Sequence, residues 1–302
     1  MAAHRQHLPS EPAARRRILL RLLPLLLFFL ATVGWGLIHG VLQSLAIVGP
    51  PALSGTGPGF HAYRALLQRR DLISSLIHTL YVALVSASVA VALGALLAYL
   101  LWLAPRRVRA AAAVYRLPII LPHIVVAFIT ALLWSQSGIV ASVLMRLGID
   151  LGAEGFPVLL YADNGVGMIV AYIYKEFPFV ALLALGVLDR VPRRMVTTAR
   201  MLGAGELRIF FRVVLPQLAP MLNQVFIIMF LYALGGFDIP WLLGASNPQM
   251  LPMTVYSLYF QGSLADRAIA MAALTLLALV ALVFVMLYSR LARRLSVWER
   301  PL

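Results

Sequence analysis

Chemistry on a polypeptide needs particular side chains at particular spacings, and few such sets occur in this chain. The only lysine, Lys175, lies between Tyr174 and Glu176. No Gly-Lys-Ser/Thr run therefore offers phosphates a lysine and a metal a hydroxyl. The chain has no Cys, which removes disulfides, Cys-ligated zinc and thiol catalysis. His4, His7, His39, His61, His78 and His123 are scattered without ligand spacing. Neither H-E-x-x-H nor G-x-S-x-G occurs,. The expectation is no catalytic residue, no metal site and no cofactor held by this chain. What remains is ionisable groups inside or beside apolar runs: Lys175, Glu176, and Asp238 next to Pro240 and Trp241. Such groups at membrane depth face a cavity or find a partner. Helical neighbours in sequence do not face each other, so Lys175 and Glu176 are not by default a mutual pair. They either line a pathway or serve structural pairs elsewhere. Asp238 is either a contact at a pathway mouth or part of a helix-terminal turn beside an interfacial Trp.

The elements that position these groups are membrane spans. The 302 residues are 62% hydrophobic and 12% charged, with mean hydropathy +0.91. Soluble domains run about 45–50% apolar and about 25% charged. A polar, Arg-rich tail over residues 1–17 precedes six apolar runs, expected at about 18–38, 74–103, 112–134, 165–188, 217–237 and 266–289. Pro118 and Pro122 fall inside the third, which implies a kinked helix lined by protein. A short interfacial helix is expected around 139–147, and residues 238–248 read as a loop. The formal charge of +14 does not indicate nucleic acid here, because the arginines collect between the apolar runs. With both ends inside, only Arg64, Arg69, Arg70, Arg146, Lys175 and Arg267 fall outside the inner segments. Arg and Lys gather on cytoplasmic loops, so residues 190–216 are placed in the cytoplasm. The organisation is a tail at 1–17 and one transmembrane domain at 18–302.

The longest internal stretch that is neither apolar nor terminal is Thr197–Pro216, T-T-A-R-M-L-G-A-G-E-L-R-I-F-F-R-V-V-L-P. It reads as a short helix, a glycine break at Gly203, and a second amphipathic helix that stops at Leu215-Pro216 before a span. Glycine lets the chain turn where a side chain would clash, and proline suits a first helical turn. Phe210, Phe211 and Val214 give the second helix an apolar face.

This stretch resembles the cytoplasmic EAA loop of permease subunits of type I, binding-protein-dependent ABC importers. Thr197, Thr198 and Ala199 stand at the Glu-Ala-Ala positions, Gly203 at the glycine, Val213 at the Ile, and Leu215-Pro216 close the pattern. The departures are Thr for Glu at 197 and Thr for Ala at 198. Weaker likeness to the spermidine/putrescine-type branch comes from Leu117-Pro118 and Leu121-Pro122-His123, from Gly235–Gly244, and from Asp266–Ala272. The resemblance implies an all-α, six-span permease whose loop at 190–216 couples to a separate ATPase. Thr197, Ala199, Arg200, Gly203, Ala204, Phe210, Leu215 and Pro216 would form that coupling site. It implies a second permease subunit, two ATPase subunits carrying ATP and Mg, and an extracytoplasmic binding protein. It places the chain in the bacterial inner membrane and suggests a polyamine-like solute. A stand-alone ion-coupled transporter would favour inverted repeats, and none is evident.

Overall fold

A computed structural model describes residues 11–48, 58–149 and 155–298. Most of the expected tail, and most of the Pro/Gly cluster at 50–59, lie outside the described residues. The described chain is helical, with no strand among the described residues. Six segments are long and apolar enough to cross a bilayer: Leu20–Ser44, Arg70–Leu103, His123–Arg146, Val166–Leu188, Glu206–Leu234 and Leu264–Ala292.

The first span is built from α1 (Glu11–Phe29), a π turn (Leu30–Gly34) and α2 (Trp35–Ser44). The following α3 (His61–Gln68) is a short helix between the first two spans that hydropathy does not mark. Next comes α4 (Arg70–Leu103), whose 34 residues make a rod about 50 Å long. Its partner is α9 (Val166–Leu188). The close contact follows from small residues: Ala83, Ala87, Ala90, Ala95 and Ala98 are buried along α4. At Gly94 a Cβ would lie 2.5 Å from the Val180 Cβ and 2.8 Å from the Phe177 carbonyl. Without a hydrophobic force between helices in lipid, association rests on this kind of close packing.

Span three departs from the expected continuous helix over 112–134. α5 (Arg106–Ala111), a 3₁₀ turn (Ala112–Arg116) and α6 (Leu117–Ile120) come first. The chain is then extended at Leu121, with ψ 137, and at Pro122, with ψ 150. Only at His123 does α7 (His123–Trp134) begin, followed by α8 (Ile139–Arg146), the expected short helix. The reason is steric. Proline disfavours a helical conformation in the residue before it, so Leu121 leaves the helix and the prolines produce a break rather than a kink.

The expected stop at Leu215-Pro216 is also corrected. α10 (Arg194–Met201) and α11 (Glu206–Ile209) flank the glycine break, but α11 runs on through a π turn (Phe210–Val214) into α12 (Leu215–Leu234). A proline inside a helix removes one hydrogen bond and crowds a carbonyl in the preceding turn. The wider π turn immediately before Pro216 accommodates this. Beyond span five, the expected loop is a packed segment: in α13 (Asp238–Leu243), Ile239, Pro240 and Leu243 are buried. It lies against α7 and α9, and the Tyr161 amide donates to the Leu243 carbonyl at 3.1 Å. α14 (Leu251–Phe260) is tied to α4 where the Leu251 amide donates to Thr79 Oγ1 at 2.8 Å, before α15 (Leu264–Trp298) forms span six.

Candidate coupling site and membrane-depth polar cluster

The α10–α11 turn is ordered by a backbone motif. Gly203, at φ +78, donates its amide to the Arg200 carbonyl at 2.9 Å, and the Ala204 amide donates to the Ala199 carbonyl at 3.0 Å. That pair of bonds is the Schellman arrangement at a helix C-terminus, completed by an apolar contact between the residues at its two ends. Those residues are Ala199 and Ala204, both half-buried against the core. Glycine is required at 203 for its left-handed backbone. The clash expected there is absent, since a Cβ at 203 would meet nothing within 4 Å.

Of the expected apolar face Phe210, Phe211 and Val214, only Phe211 is exposed. Val214 is buried and Phe210 is half-buried, its ring tilted against that of Tyr99 with centroids 5.2 Å apart. The exposed apolar side chains are Met201 and Leu202, each 83% exposed, Leu207 at 77% and Phe211 at 57%. They surround the turn, with Thr197, Arg200 and Gly203 also exposed, while Leu215 and Pro216 are half-buried at the start of α12.

Glu206 is the residue the sequence did not single out. Its Oε1 accepts from Arg200 Nε at 2.7 Å, and its Oε2 accepts from the Tyr99 hydroxyl at 2.9 Å. Tyr99 belongs to α4 and is buried, so a single carboxylate joins α10, α11 and span two. The only advance signal was an acidic residue at the first position of a helix, where the dipole favours it. Nearby, Arg193 donates to the Trp102 carbonyl at 2.6 Å and lies over the Trp102 ring. Arg109 pairs with Asp189 at 2.5 Å. These contacts join both connectors at the arginine-rich end of the bundle.

At membrane depth, the candidates separate. Lys175 Nζ donates to the carbonyls of Pro118 at 2.7 Å, Ile119 at 3.0 Å and Leu121 at 2.5 Å. In a continuous helix the Pro118 carbonyl would accept from residue 122, but Pro122 has no N–H to give. The ammonium, with three donors, supplies what the break took away. Glu176 is 4% exposed, and neither carboxylate oxygen has a hydrogen-bond partner among the described residues. The buried Tyr172 hydroxyl, one turn away on α9, also lacks one, and it lies where a Cβ on Gly236 would sit. Asp238 is exposed at the first turn of α13. His123 packs against Tyr232, with ring centroids 4.7 Å apart, and is within electrostatic reach of Lys175 and Asp238. The fold thus gathers Lys175, Glu176 and Asp238 around α7, α9 and α13. Among the described residues no group of His, Asp and Glu is placed to hold a metal ion.

With this geometry in view, the comparisons are specific. The profile of a family described as binding-protein-dependent transport system inner membrane component matches residues 90–297. The sn-glycerol-3-phosphate transport system permease protein UgpA of Pectobacterium atrosepticum is 28% identical over 255 residues, 81% of each chain. The sulfoquinovosyl glycerol transport system permease protein SmoG of Agrobacterium fabrum is 34% identical over 113 residues, covering 37% of this chain and 36% of that one. A solved bacterial ABC transporter that imports the acidic polysaccharide alginate superposes with TM-score 0.74 at 24% identity, over 94% of this chain and 98% of that one. That likeness shows the fold, the six-span fold of type I ABC importer permeases.

Proposed function

The chain belongs to the family of binding-protein-dependent transport system inner membrane components, and on that premise we propose that it forms half of the translocation pathway of an ABC importer. A multi-pass subunit of the inner membrane, it carries solute while a separate chain hydrolyses ATP. The observation that carries this reading is the α10–α11 turn: an ordered left-handed break displaying Met201, Leu202, Leu207 and Phe211 to solvent at one end of the bundle. An amphipathic helical element of this kind docks its apolar side chains into a groove of a partner. Arg200 and Thr197 lie on its exposed surface, and Ala199, Gly203 and Ala204 set its shape. Phe210, Leu215 and Pro216 carry it into span five. The docking contacts are therefore Met201, Leu202, Leu207 and Phe211, with Phe210 and Val214 turned toward the bundle.

The complete transporter has a second permease subunit, identical or related, and two ATPase subunits that hold ATP and Mg. A binding protein supplies the solute on the opposite face. Both termini and the turn lie in the cytoplasm. ATP favours one arrangement of the paired permeases and the solute-loaded binding protein biases the same equilibrium, which is all that alternating access requires. The polyamine-like solute suggested by sequence is replaced. The relatives' names carry sn-glycerol 3-phosphate and sulfoquinovosyl glycerol, and a polyhydroxylated small solute is the class we assign. Glu176 and Asp238 are assigned to the pathway, and Lys175 to holding the span-three break.

The chain contains no cysteine, so a single Leu207→Cys supplies a unique crosslinking handle. In membranes containing the assembled system, a photoactivatable crosslinker on that cysteine should capture the ATPase subunit, and ATP should change the yield. Capture of lipid or solvent alone overturns the assignment.

A further inference from the structure

Glu206 is placed to do more than solvate a turn. The coupling element meets the bundle at the buried Val196, at Ala199 and Ala204, which pack against the core, and at the start of α10, where Arg193 donates to the Trp102 carbonyl of α4. The Schellman turn fixes the angle between α10 and α11. At the far end of α10, beyond the reach of Arg193, Glu206 supplies a second hydrogen-bonded tie to span two, with one oxygen on Arg200 of α10 and the other on Tyr99 of α4. The Tyr99 ring is seated on Phe210, at the point where α11 passes into the π turn. Arg200 and Glu206 are exposed and on their own would contribute little. Tyr99 is buried, and a buried hydroxyl that loses its partner bears the full cost of desolvation.

We propose that Glu206 is a positioning residue: a clasp that fastens the coupling element to span two, so that a displacement imposed on α10 by the ATPase reaches α4 and, through its close-packed interface, α9. The proposal rests on the importer reading above. It also accounts for the departure at Thr197. The carboxylate missing from the start of the EAA-like pattern has a counterpart nine residues later, on the far side of the glycine, directed at the chain's own span rather than at a partner.

The test uses the assembled complex, with one permease copy labelled at Leu84→Cys and Arg194→Cys, both exposed positions, on span two and α10. Spin-label distances are measured without nucleotide and after trapping with ATP and vanadate. In the parent chain the distribution should be single and unchanged between the two states. Tyr99→Phe keeps the ring on Phe210 and removes only the hydroxyl. It should raise a second, detached population about fivefold, the change that one net hydrogen bond makes. Glu206→Ala should do the same, whereas Glu206→Gln, which retains an acceptor for Tyr99, should stay close to the parent. Superimposable distributions for Tyr99→Phe and the parent overturn the clasp, as does a parent distance that itself changes on trapping. If the unmodified chain assembles with no ATPase, the importer reading fails instead, and the nucleotide-free distributions still decide the clasp.

Discussion

At the scale of single residues, Lys175 and Glu176 are adjacent in sequence and opposite in role. Lys175 satisfies three carbonyls that the Pro118–Pro122 break leaves without amide donors. Lys175→Met should therefore orphan them, at about 1–3 kcal/mol for each group left buried. The expected result is a lower melting temperature of the detergent-solubilised protein and less protein in the membrane. Glu176 has no hydrogen-bond partner to lose among the described residues, so Glu176→Gln should leave melting unchanged or raised while altering solute uptake. Equal melting losses for both variants would refute this division. The sequence brought these two residues forward because ionisable side chains in an apolar run are conspicuous. It left both roles open for both residues, because a lysine reaches its partners through four methylenes across a helix interface, which linear spacing does not encode. Glu206 escaped notice for a related reason: its partners are six residues and 107 residues away, and an acid beside a glycine break looks like an ordinary solvated residue. Gly203 stands at the helix break that the sequence marks, but its reason is left-handed backbone and not a clash. Its position at a helix end is legible in the pattern, but whether a glycine serves left-handed backbone or close packing depends on neighbours that only the fold supplies.

At the scale of elements, the spans were readable because twenty-odd apolar residues have few other uses. Their ends were less so. Span three starts later than hydropathy suggests, because proline acts on the residue before it. Span five starts earlier, because a π turn carries the helix through Leu215-Pro216. α13 reads as loop, and α3 and α14 are not marked at all, since short amphipathic pieces between spans have neither the length nor the composition of a span. Their burial comes from tertiary contacts, such as Leu251 held by Thr79. The α4–α9 contact was equally hidden: an Ala- and Gly-rich stripe signals close approach only once the partner is known. It yields a sharp expectation. Gly94→Ile adds branched volume where a single Cβ already comes within 2.5 Å of Val180 and 2.8 Å of a backbone carbonyl. Backbone cannot yield as a flexible side chain can, so spans two and four must separate. Overpacking of this kind costs about 1–3 kcal/mol. The subunit should melt lower, with loss of transport even where the protein is inserted, whereas Gly235→Ala, whose Cβ comes no nearer than 3.7 Å to a neighbouring atom, should melt like the parent. Equal melting of the two variants would show that spans two and four adjust independently of this contact.

At the scale of the whole molecule, one end of the bundle concentrates positive charge and the other does not. Arg106, Arg107 and Arg109 follow span two, Arg190, Arg193, Arg194 and Arg200 fall between spans four and five, and Arg208 and Arg212 lie in the first turns of span five. The fold confirms that these two connectors meet, through Arg109 with Asp189 and Arg193 with the Trp102 carbonyl. They act as one charged surface rather than two separate loops. An anionic cytoplasmic leaflet attracts such residues by about 1 kcal/mol per Lys or Arg near the surface. Inverting the molecule would forfeit that attraction at many sites at once, while Arg64, Arg69, Arg70 and Arg267 could return only part of it. Two of those four are already engaged: Arg69 by Asp71 and Asp266, and Arg267 by the Tyr259 carbonyl. The orientation argued from sequence stays a proposal, and it can be tested directly. In the cysteine-free background, Arg107→Cys and Gln261→Cys sit at exposed positions on opposite ends of the bundle. An impermeant thiol reagent added to right-side-out vesicles should label Gln261→Cys and leave Arg107→Cys unreacted until the membrane is permeabilised. The reverse pattern would place the α10–α11 turn on the face that meets the binding protein. Coupling through it would then be impossible, because the ATPase works only where ATP is.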